Sequence, residues 1–319
     1  MFTFLDLKPH LPITEHTVPC PVRGCRRIVP RQRMRFRAHP DFICPDHNIF
    51  ISPSTFEYTD FRQNLLWTDP SDLALLNRIF TTKRESRMAR NNSEDALSWN
   101  VFRFLEKTDL LDSYLSTITC RQVSGSRICY WGYSQSDNGL YPILADARRE
   151  FGEQINRGSE PDLIVLSDSH LFFIEAKFTS GNRTTPSNPA VRTGYQSGGA
   201  GWYESVFQAD FSNVAIRNKK YELLRFWLLG TWMASQLGFD FHLVNLVLES
   251  REKAITSKFF PLIRQDTTRT FSCQTWEGVY RFLCSEKPAG EDAEKLFAYF
   301  STHTRGYDHR QRLQRGFTI

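Results

Sequence analysis

Two short apolar runs lie close together in the middle of the chain. Leu163–Leu166 and residues 171–174 are wholly apolar, and the segment between them begins Ser-Asp-Ser. Apolar runs of this length, bounded by turn residues, are typical of β-strands. Because both faces of each strand are apolar, we expect the strands to be covered on both sides. The pattern therefore predicts a buried β-hairpin.

Charged residues flank one end of this hairpin. Asp162 directly precedes the first strand, and Glu175 and Lys177 follow the apolar part of the second. Side chains alternate along a strand, so Phe173, Glu175 and Lys177 share one face. A buried carboxylate or ammonium is costly unless it is paired or binds a metal. The charges indicate either an ion pair on a surface hairpin or a functional cluster, and the apolar strands favour the cluster.

The remaining periodicity predicts helices and strands around the hairpin. An amphipathic helical pattern runs from about residue 91 to residue 105, and a second helical pattern covers residues 216–235. Residues 128–133 and 241–248 have the composition of strands. In chain order the predicted elements are a helix, a strand, the two hairpin strands, a helix and a last strand.

The charge pattern and the order of elements together resemble the PD-(D/E)XK nuclease superfamily, the restriction-endonuclease-like phosphodiesterases. The residues that carry the resemblance are Pro161-Asp162 and Glu175-Ala176-Lys177. The resemblance implies an α/β fold with an αβββαβ core, in which a mixed central sheet is flanked by helices. It also implies that Asp162 and Glu175 bind Mg²⁺ or Mn²⁺, with the Ala176 carbonyl as a further ligand. Lys177 would position or activate the attacking water.

Glu94 has two interpretations. As the third residue of a capping box with Asn91 as the cap, it would only stabilise the start of a helix. It also shares a helical face with Leu97, Val101 and Phe104, which predicts that its side chain points inward. Several members of the superfamily carry a further acidic metal ligand at this place, so the resemblance adds Glu94 to the candidate catalytic residues. Both interpretations are open.

Cysteine spacing near the N-terminus predicts a metal site. Cys20 and Cys25 are separated by four residues, and Cys44 and His47 by two. Each of these closely spaced ligand pairs is called a knuckle below. Two such pairs are typical of a tetrahedral structural zinc site in a small zinc-ribbon-like module. His39 is a possible substitute for the fourth ligand, although it lacks the knuckle spacing. The alternative is a set of unrelated reduced thiols beside a surface histidine.

Arginine is concentrated between the two ligand pairs. Arg31, Arg33, Arg35 and Arg37 alternate with other residues, and no acidic residue occurs from residue 21 to residue 40. In an extended strand the four side chains would project from one face. Such a surface suits contacts with DNA phosphates. The alternatives are a solvated face or a site for an acidic protein partner.

A polar segment follows the hairpin. Residues 180–201 are rich in Gly, Ser, Thr, Pro and Asn. Its composition and its position after Lys177 predict a mobile loop that could close over bound substrate. A disordered insertion without a function is the alternative.

Composition limits the class of protein. The chain has 319 residues, a net charge of +5 and a sequence pI of about 8.8, which permits binding of nucleic acid without requiring it. No apolar run approaches the length of a membrane span, and the first residues lack a signal-peptide pattern. The cysteines outside the knuckles are typical of reduced core thiols. These observations predict a cytoplasmic protein that does not bind a membrane.

Four segments are predicted. Residues 1–60 form the zinc-binding module, 61–87 a connector, 88–250 the nuclease core, and 251–319 an extension whose arginine-rich tail is expected to be flexible. The predicted function is metal-dependent DNA endonuclease activity, in host defence or a mobile element by analogy with the superfamily. One alternative is a catalytically silent nucleic-acid-binding module. Another is a nuclease subunit that is active only in a larger complex, with a protein partner or as a homodimer.

Overall fold

The chain folds into two compact units. The computed structural model describes residues 1–33, 36–83, 85–188 and 191–319. Unit 1 consists of Met1–Pro70, Ser86–Phe104 and Tyr280–Ile319, and unit 2 of Ser71–Glu85 and Leu105–Val279. This division differs from the four predicted segments, because the last forty residues fold with the N-terminal segment. Residues 251–279 belong to the unit that contains the hairpin.

The strands of unit 1 are short, whereas three strands of unit 2 have seven or eight residues. In chain order the strands of both units are β1 (Thr17–Pro19), β2 (Ile28–Pro30), β3 (Ile43–Cys44), β4 (Ile49–Ile51), β5 (Phe56–Tyr58), β6 (Arg127–Tyr130), β7 (Tyr133–Ser134), β8 (Gly139–Leu140), β9 (Leu163–Leu166), β10 (His170–Ala176), β11 (Asp240–Val247), β12 (Arg269–Thr275), β13 (Thr304–Tyr307) and β14 (Leu313–Arg315).

Nine α-helices are found among the described residues. They are α1 (Pro70–Ile79), α2 (Glu94–Lys107), α3 (Leu111–Thr119), α4 (Pro142–Glu150), α5 (Val191–Val206), α6 (Tyr221–Leu237), α7 (Ile255–Phe259), α8 (Trp276–Glu286) and α9 (Glu291–Thr302). Non-helical backbone at residues 198–201 interrupts α5. No helix among the described residues is long and apolar enough to cross a membrane.

A seven-stranded mixed sheet forms the centre of unit 2. Its order is β12-β11-β10-β9-β6-β7-β8. Strands β10, β11 and β12 are parallel, whereas β9 is antiparallel to both β10 and β6. The predicted hairpin is confirmed as β9 and β10, and the predicted last strand as β11. The predicted strand over residues 128–133 is divided in two, because Trp131 and Gly132 have φ angles of 48° and 79° and form a turn.

Helix α6 covers one face of this sheet. It begins at Tyr221 rather than at residue 216 as predicted, because Ser212–Arg217 form a separate π-helical turn and Lys219 has a φ of 54°. The apolar side chains of α6 pack with those of α4, α5, β10 and β11 in one core cluster. Leu171 and Phe173 lie in this cluster. The face that carries Glu175 is therefore the face that α6 covers.

Unit 1 is built from small antiparallel sheets. β1 pairs with β2, β3–β5 form a three-stranded sheet, and β13 pairs with β14. Tyr307 and Leu313 lie in the same core cluster as Leu7 and Ile49, and the Tyr307 hydroxyl donates a hydrogen bond to the Lys8 carbonyl at 2.9 Å. The expectation of a flexible C-terminal tail is therefore wrong, because these residues form a β-hairpin that completes the core of unit 1.

Gly230 should be required for the packing of α6 on the sheet. A Cβ atom at Gly230 would lie 2.1 Å from Cζ of Phe241. Overpacking of this kind costs about 1–3 kcal/mol, which offsets the gain of roughly 1 kcal/mol in helix propensity. Gly230→Ala is expected to lower the melting temperature, and adding Phe241→Leu should recover part of the loss. A more stable Gly230→Ala single variant would contradict this packing.

Candidate functional site

The hairpin brings three predicted site residues together in unit 2. Asp162 lies directly before β9, Glu175 near the end of β10 and Lys177 directly after it. The backbone N–H of Ala176 donates a hydrogen bond to Oδ2 of Asp162 at 2.8 Å. This bond holds the aspartate carboxylate against β10, between the positions of Glu175 and Lys177.

A fourth charged residue, Glu222, completes the cluster. The Lys177 ammonium forms ion pairs with Oε1 of Glu175 and, at 2.8 Å, with Oε2 of Glu222. Glu175 and Lys177 are only 3% and 9% exposed. The sequence interpretation missed Glu222, which lies in the first turn of α6. The available signal was weak, since acidic residues are common in the first turn of any helix.

Burial dominates the electrostatics of the cluster. Burial, with the nearby Asp162 carboxylate, raises the pKa of Glu175 well above its ordinary value despite the opposing effect of Lys177. Burial alone would lower the pKa of Lys177, but the charges of Glu175, Glu222 and Asp162 outweigh it and raise that pKa. Oε2 of Glu175 is buried and has no hydrogen-bond partner. Three carboxyl groups thus share one ammonium.

The cluster as it stands is an ion-pair network. In the part of the chain that the structure describes, only the Cys/His cluster brings three or more potential metal-ligand groups within 4.8 Å of one another. The carboxylates are not drawn together in this way, since Lys177 bonds to both Glu175 and Glu222. A cation bound by Glu175 would therefore have to compete with Lys177.

The segment predicted as a mobile loop helps to position Glu222. Helix α6 has no side-chain cap of its own at Lys220. Instead, the carbonyl of Thr184 accepts from the Tyr221 N–H at 3.2 Å, and its hydroxyl accepts from the Glu222 N–H at 2.8 Å. The expectation that residues 180–201 form a loop throughout is wrong for the last part of this segment, because helix α5 begins at Val191. Thr184 thus caps the helix that carries the missed glutamate.

Glu94 lies in unit 1, in the first turn of α2. Ser93 caps this helix, because its hydroxyl accepts from the Ala96 N–H at 3.1 Å. Asn91 is fully buried, and its side-chain amide donates to the Thr304 hydroxyl at 2.8 Å. The predicted capping box with Asn91 is therefore wrong. The role of Glu94 as a metal ligand stays a prediction.

The Cys/His cluster of unit 1 has the geometry of a metal site. Cys25 Sγ lies 3.7 Å from Cys44 Sγ, and His47 Nδ1 lies 3.4 Å from Cys44 Sγ and 3.8 Å from Cys20 Sγ. A zinc tetrahedron with Zn–S near 2.3 Å and Zn–N near 2.1 Å has edges of about 3.5–3.8 Å. The four predicted ligands could therefore hold a structural metal such as zinc.

The surroundings of this cluster support the predicted ligand set. The Lys8 ammonium donates to the carbonyls of Cys20 and Cys25, both at 2.7 Å, and so holds the first knuckle. Burial raises the pKa of the Cys20 and Cys44 thiols, so a bound cation would be needed to keep both as thiolates. His39 is exposed and pairs with its neighbour Asp41 at 3.3 Å. It is not part of the cluster.

The arginine segment lies on the surface of unit 1. Arg31, Arg33 and Arg37 are exposed, and Gln32 between the first two is buried. None of these residues belongs to a strand, since β2 ends at Pro30, so the expectation of an extended strand is not met there. Arg35 lies outside the described residues. Whether these side chains contact DNA stays a prediction.

We expect purified protein to contain about one zinc ion per chain with Zn–S near 2.3 Å. Cys44→Ser should lower the zinc content and the melting temperature, because the short strands around the cluster would lose the restraint that a bound metal supplies. The exposed Cys284 of the same unit supplies the matched control Cys284→Ser. Elemental analysis and X-ray absorption would test this. Well-folded wild-type protein without a bound metal would contradict it.

Comparisons with known proteins offer no function that could be transferred to this chain. Protein-family models, curated proteins and solved structures were each compared with it, and none matches. Its function must be inferred from its own side chains.

Proposed function

We propose that this protein is a metal-dependent DNA endonuclease that hydrolyses phosphodiester bonds at the cluster of Asp162, Glu175 and Lys177. The observation that carries the proposal is the buried Oε2 of Glu175, which has no hydrogen-bond partner although it lies at the centre of a charged cluster. Buried carboxylate oxygens are normally hydrogen-bonded or bound to a cation. Such an atom is what a divalent metal site would require.

The order of elements supports the proposed relation to PD-(D/E)XK nucleases. Helix α2 precedes β6, β9 and β10, and α6 connects β10 to β11. Strand β9 lies between β6 and β10 and is antiparallel to both, and β11 is parallel to β10. Strands β7 and β8 and helix α4 are inserted between β6 and β9. Helix α3 also lies between α2 and β6, and helix α5 between β10 and α6. Apart from these additional elements, the chain order supports the proposed αβββαβ core, in which Asp162 directly precedes the second strand and Glu175 lies on the third.

The residues present suit Mg²⁺ or Mn²⁺, which favour oxygen ligands. Asp162, Glu175 and the Ala176 carbonyl would hold the ion. When bound, it would lower the pKa of a water molecule and neutralise charge on the scissile phosphate.

Lys177 has a separate role in this proposal. As an ammonium it donates hydrogen bonds, so it would orient the attacking water and stabilise the negative transition state. Glu222 would act as a positioning residue, because its ion pair at 2.8 Å holds Lys177 when Glu175 turns to the metal.

Two alternative functions predict different behaviour. A catalytically silent DNA-binding module would need no buried carboxylates around Lys177, and their burial is costly. A nuclease subunit active only with a protein partner would keep the cluster yet fail to cut alone.

The distribution of charge favours a nucleic-acid partner for the proposed nuclease and for both alternatives. Unit 1 has 19 Lys and Arg against 14 Asp and Glu, whereas unit 2 has 21 of each, so the net charge of +5 resides in unit 1.

Asp162→Asn and Glu175→Gln are expected to reduce Mg²⁺-dependent cleavage of plasmid DNA by roughly 100-fold or more. Their melting temperatures should be unchanged or higher, since each variant removes a carboxylate from a crowded site. Lys177→Ala should also lose cleavage. Exposed Glu204 of unit 2 supplies the control Glu204→Gln, which should cut normally.

A folded Glu175→Gln protein that cuts at the wild-type rate would overturn the proposal. If the wild-type protein itself does not cut, cleavage restored by a cell extract and lost in Glu175→Gln would favour the subunit alternative. No cleavage under any of these conditions would favour the silent module.

The raised pKa of Glu175 predicts a pH-dependent stability difference. A carboxyl group whose pKa is raised on folding stabilises the protein below its ordinary value of 4.5, and this contribution is lost as the pH rises through the folded value. Lys177, whose pKa is also raised, stabilises the protein fully below its ordinary value of 10.5, so its contribution does not change between pH 5 and pH 8. Without added Mg²⁺, the melting temperature of the wild type should therefore fall relative to Glu175→Gln between pH 5 and pH 8. If the melting temperatures of the two proteins changed with pH in the same way, this prediction would be refuted.

A further inference from the structure

A cleft in unit 1 lies beside the exposed arginines. Its volume is about 600 Å³, and Arg31, Arg33, Phe36 and Arg90 lie in its wall. This volume is within the range of sites that hold small organic ligands. The cleft belongs to a different unit from the carboxylate cluster, and its function can be argued separately.

We infer that this cleft binds an unpaired nucleotide of a nucleic-acid strand. The phosphate would contact Arg31 and Arg33, and the base would stack against Phe36 and Arg90.

The charge of the cleft suits an anion. Among the described residues, three guanidinium groups line it against one carboxylate, that of Glu15. Glu15 pairs with Arg33 at 3.2 Å, but both side chains are largely exposed, so this pair is weak and a phosphate can replace it. Arg90 is partly neutralised by Glu57 at 3.3 Å. The charges of Arg31 and Arg33 therefore remain available to a phosphate group.

The aromatic ring distinguishes a nucleotide from a simple anion. The Arg90 guanidinium lies over the ring of Phe36, 5.0 Å from its centroid. Nucleic-acid bases stack on aromatic rings and on guanidinium planes alike. A duplex keeps its bases stacked on one another, so only an unpaired base can use this surface. An acidic peptide would use the arginines but would gain nothing from the ring.

The wall of the cleft is held in place by hydrogen bonds. The buried Gln32 donates to the Ile51 carbonyl at 2.9 Å and accepts from the Arg37 N–H at 2.7 Å. The Ser52 hydroxyl, which also lies in the wall, closes a turn by donating to the Thr55 carbonyl at 2.8 Å. Oγ1 of Thr55, which also lines the cleft, is buried without a hydrogen-bond partner. The site is thus largely preformed.

The test measures binding of the full chain by fluorescence anisotropy without added divalent metal. Glu175→Gln serves as the parent protein, so that cleavage cannot interfere. The probes are a labelled 12-nucleotide single strand of mixed sequence and the matching duplex. The parent should prefer the single strand. Phe36→Leu should weaken single-strand binding by roughly 5-fold or more, as expected for the loss of one stacked base, with little change for the duplex.

Matched variants separate stacking from charge. Phe36→Tyr keeps an aromatic ring and should retain the preference for the single strand. Arg33→Gln should weaken binding and reduce the log-log salt slope by about 0.7. Arg26, an exposed arginine outside the cleft wall, supplies the control Arg26→Gln, which should leave the preference unchanged. Zinc content and circular dichroism would show that each variant is folded.

Three outcomes would overturn the inference. The first is a folded Phe36→Leu protein that keeps the single-strand preference. The second is displacement of the labelled strand by polyglutamate as effectively as by unlabelled strand, which would assign the cleft to an acidic protein. The third is binding of free deoxynucleotide at millimolar concentration, measured by calorimetry, with no measurable binding of any oligonucleotide, which would assign the cleft to a small molecule.

Discussion

A single buried ammonium, that of Lys177, connects the end of the central hairpin to the start of helix α6. Its bonds to Glu175 and Glu222 compensate charges that burial would otherwise make very unfavourable. The β9–β10 hairpin ends at this cluster. The strand β10, which pairs with β11, carries Glu175, and helix α6, which packs on the sheet, carries Glu222. The same burial that makes the charges costly also raises the pKa of Glu175 and leaves one of its oxygens without a partner.

Unit 1 is organised by a different constraint. Its strands are only two to four residues long, and the apolar cluster that they form draws on both ends of the chain. Short strands bury too little apolar surface to be stable alone. The four potential ligand atoms lie within 4.8 Å of one another. A metal ion bound there would supply the missing restraint, because it would join the segment around Cys20 to that around Cys44. The exposed arginines lie on the loop between these two segments.

The two units carry different chemistry. The neutral unit 2 contains the carboxylate cluster, and the basic unit 1 contains the arginines and the cleft with Phe36. In the proposed function, the carboxylates of unit 2 would bind the metal ion and the arginines of unit 1 would contact the nucleic acid, so each unit would have its own ligand.

Local patterns in the sequence determined the local structure of this protein. The apolar runs around Ser167 predicted β9 and β10, because alternation and turn residues act over a few positions. Knuckle spacing predicted the four Cys/His ligands for the same reason. Long-range contacts were decided only by the tertiary structure: Glu222 reaches Lys177 across 45 positions, Thr184 caps a helix that begins 37 residues later, and Tyr307 completes a core built around Leu7. No short pattern encodes such contacts, since they depend on which surfaces the packed helices and strands bring together.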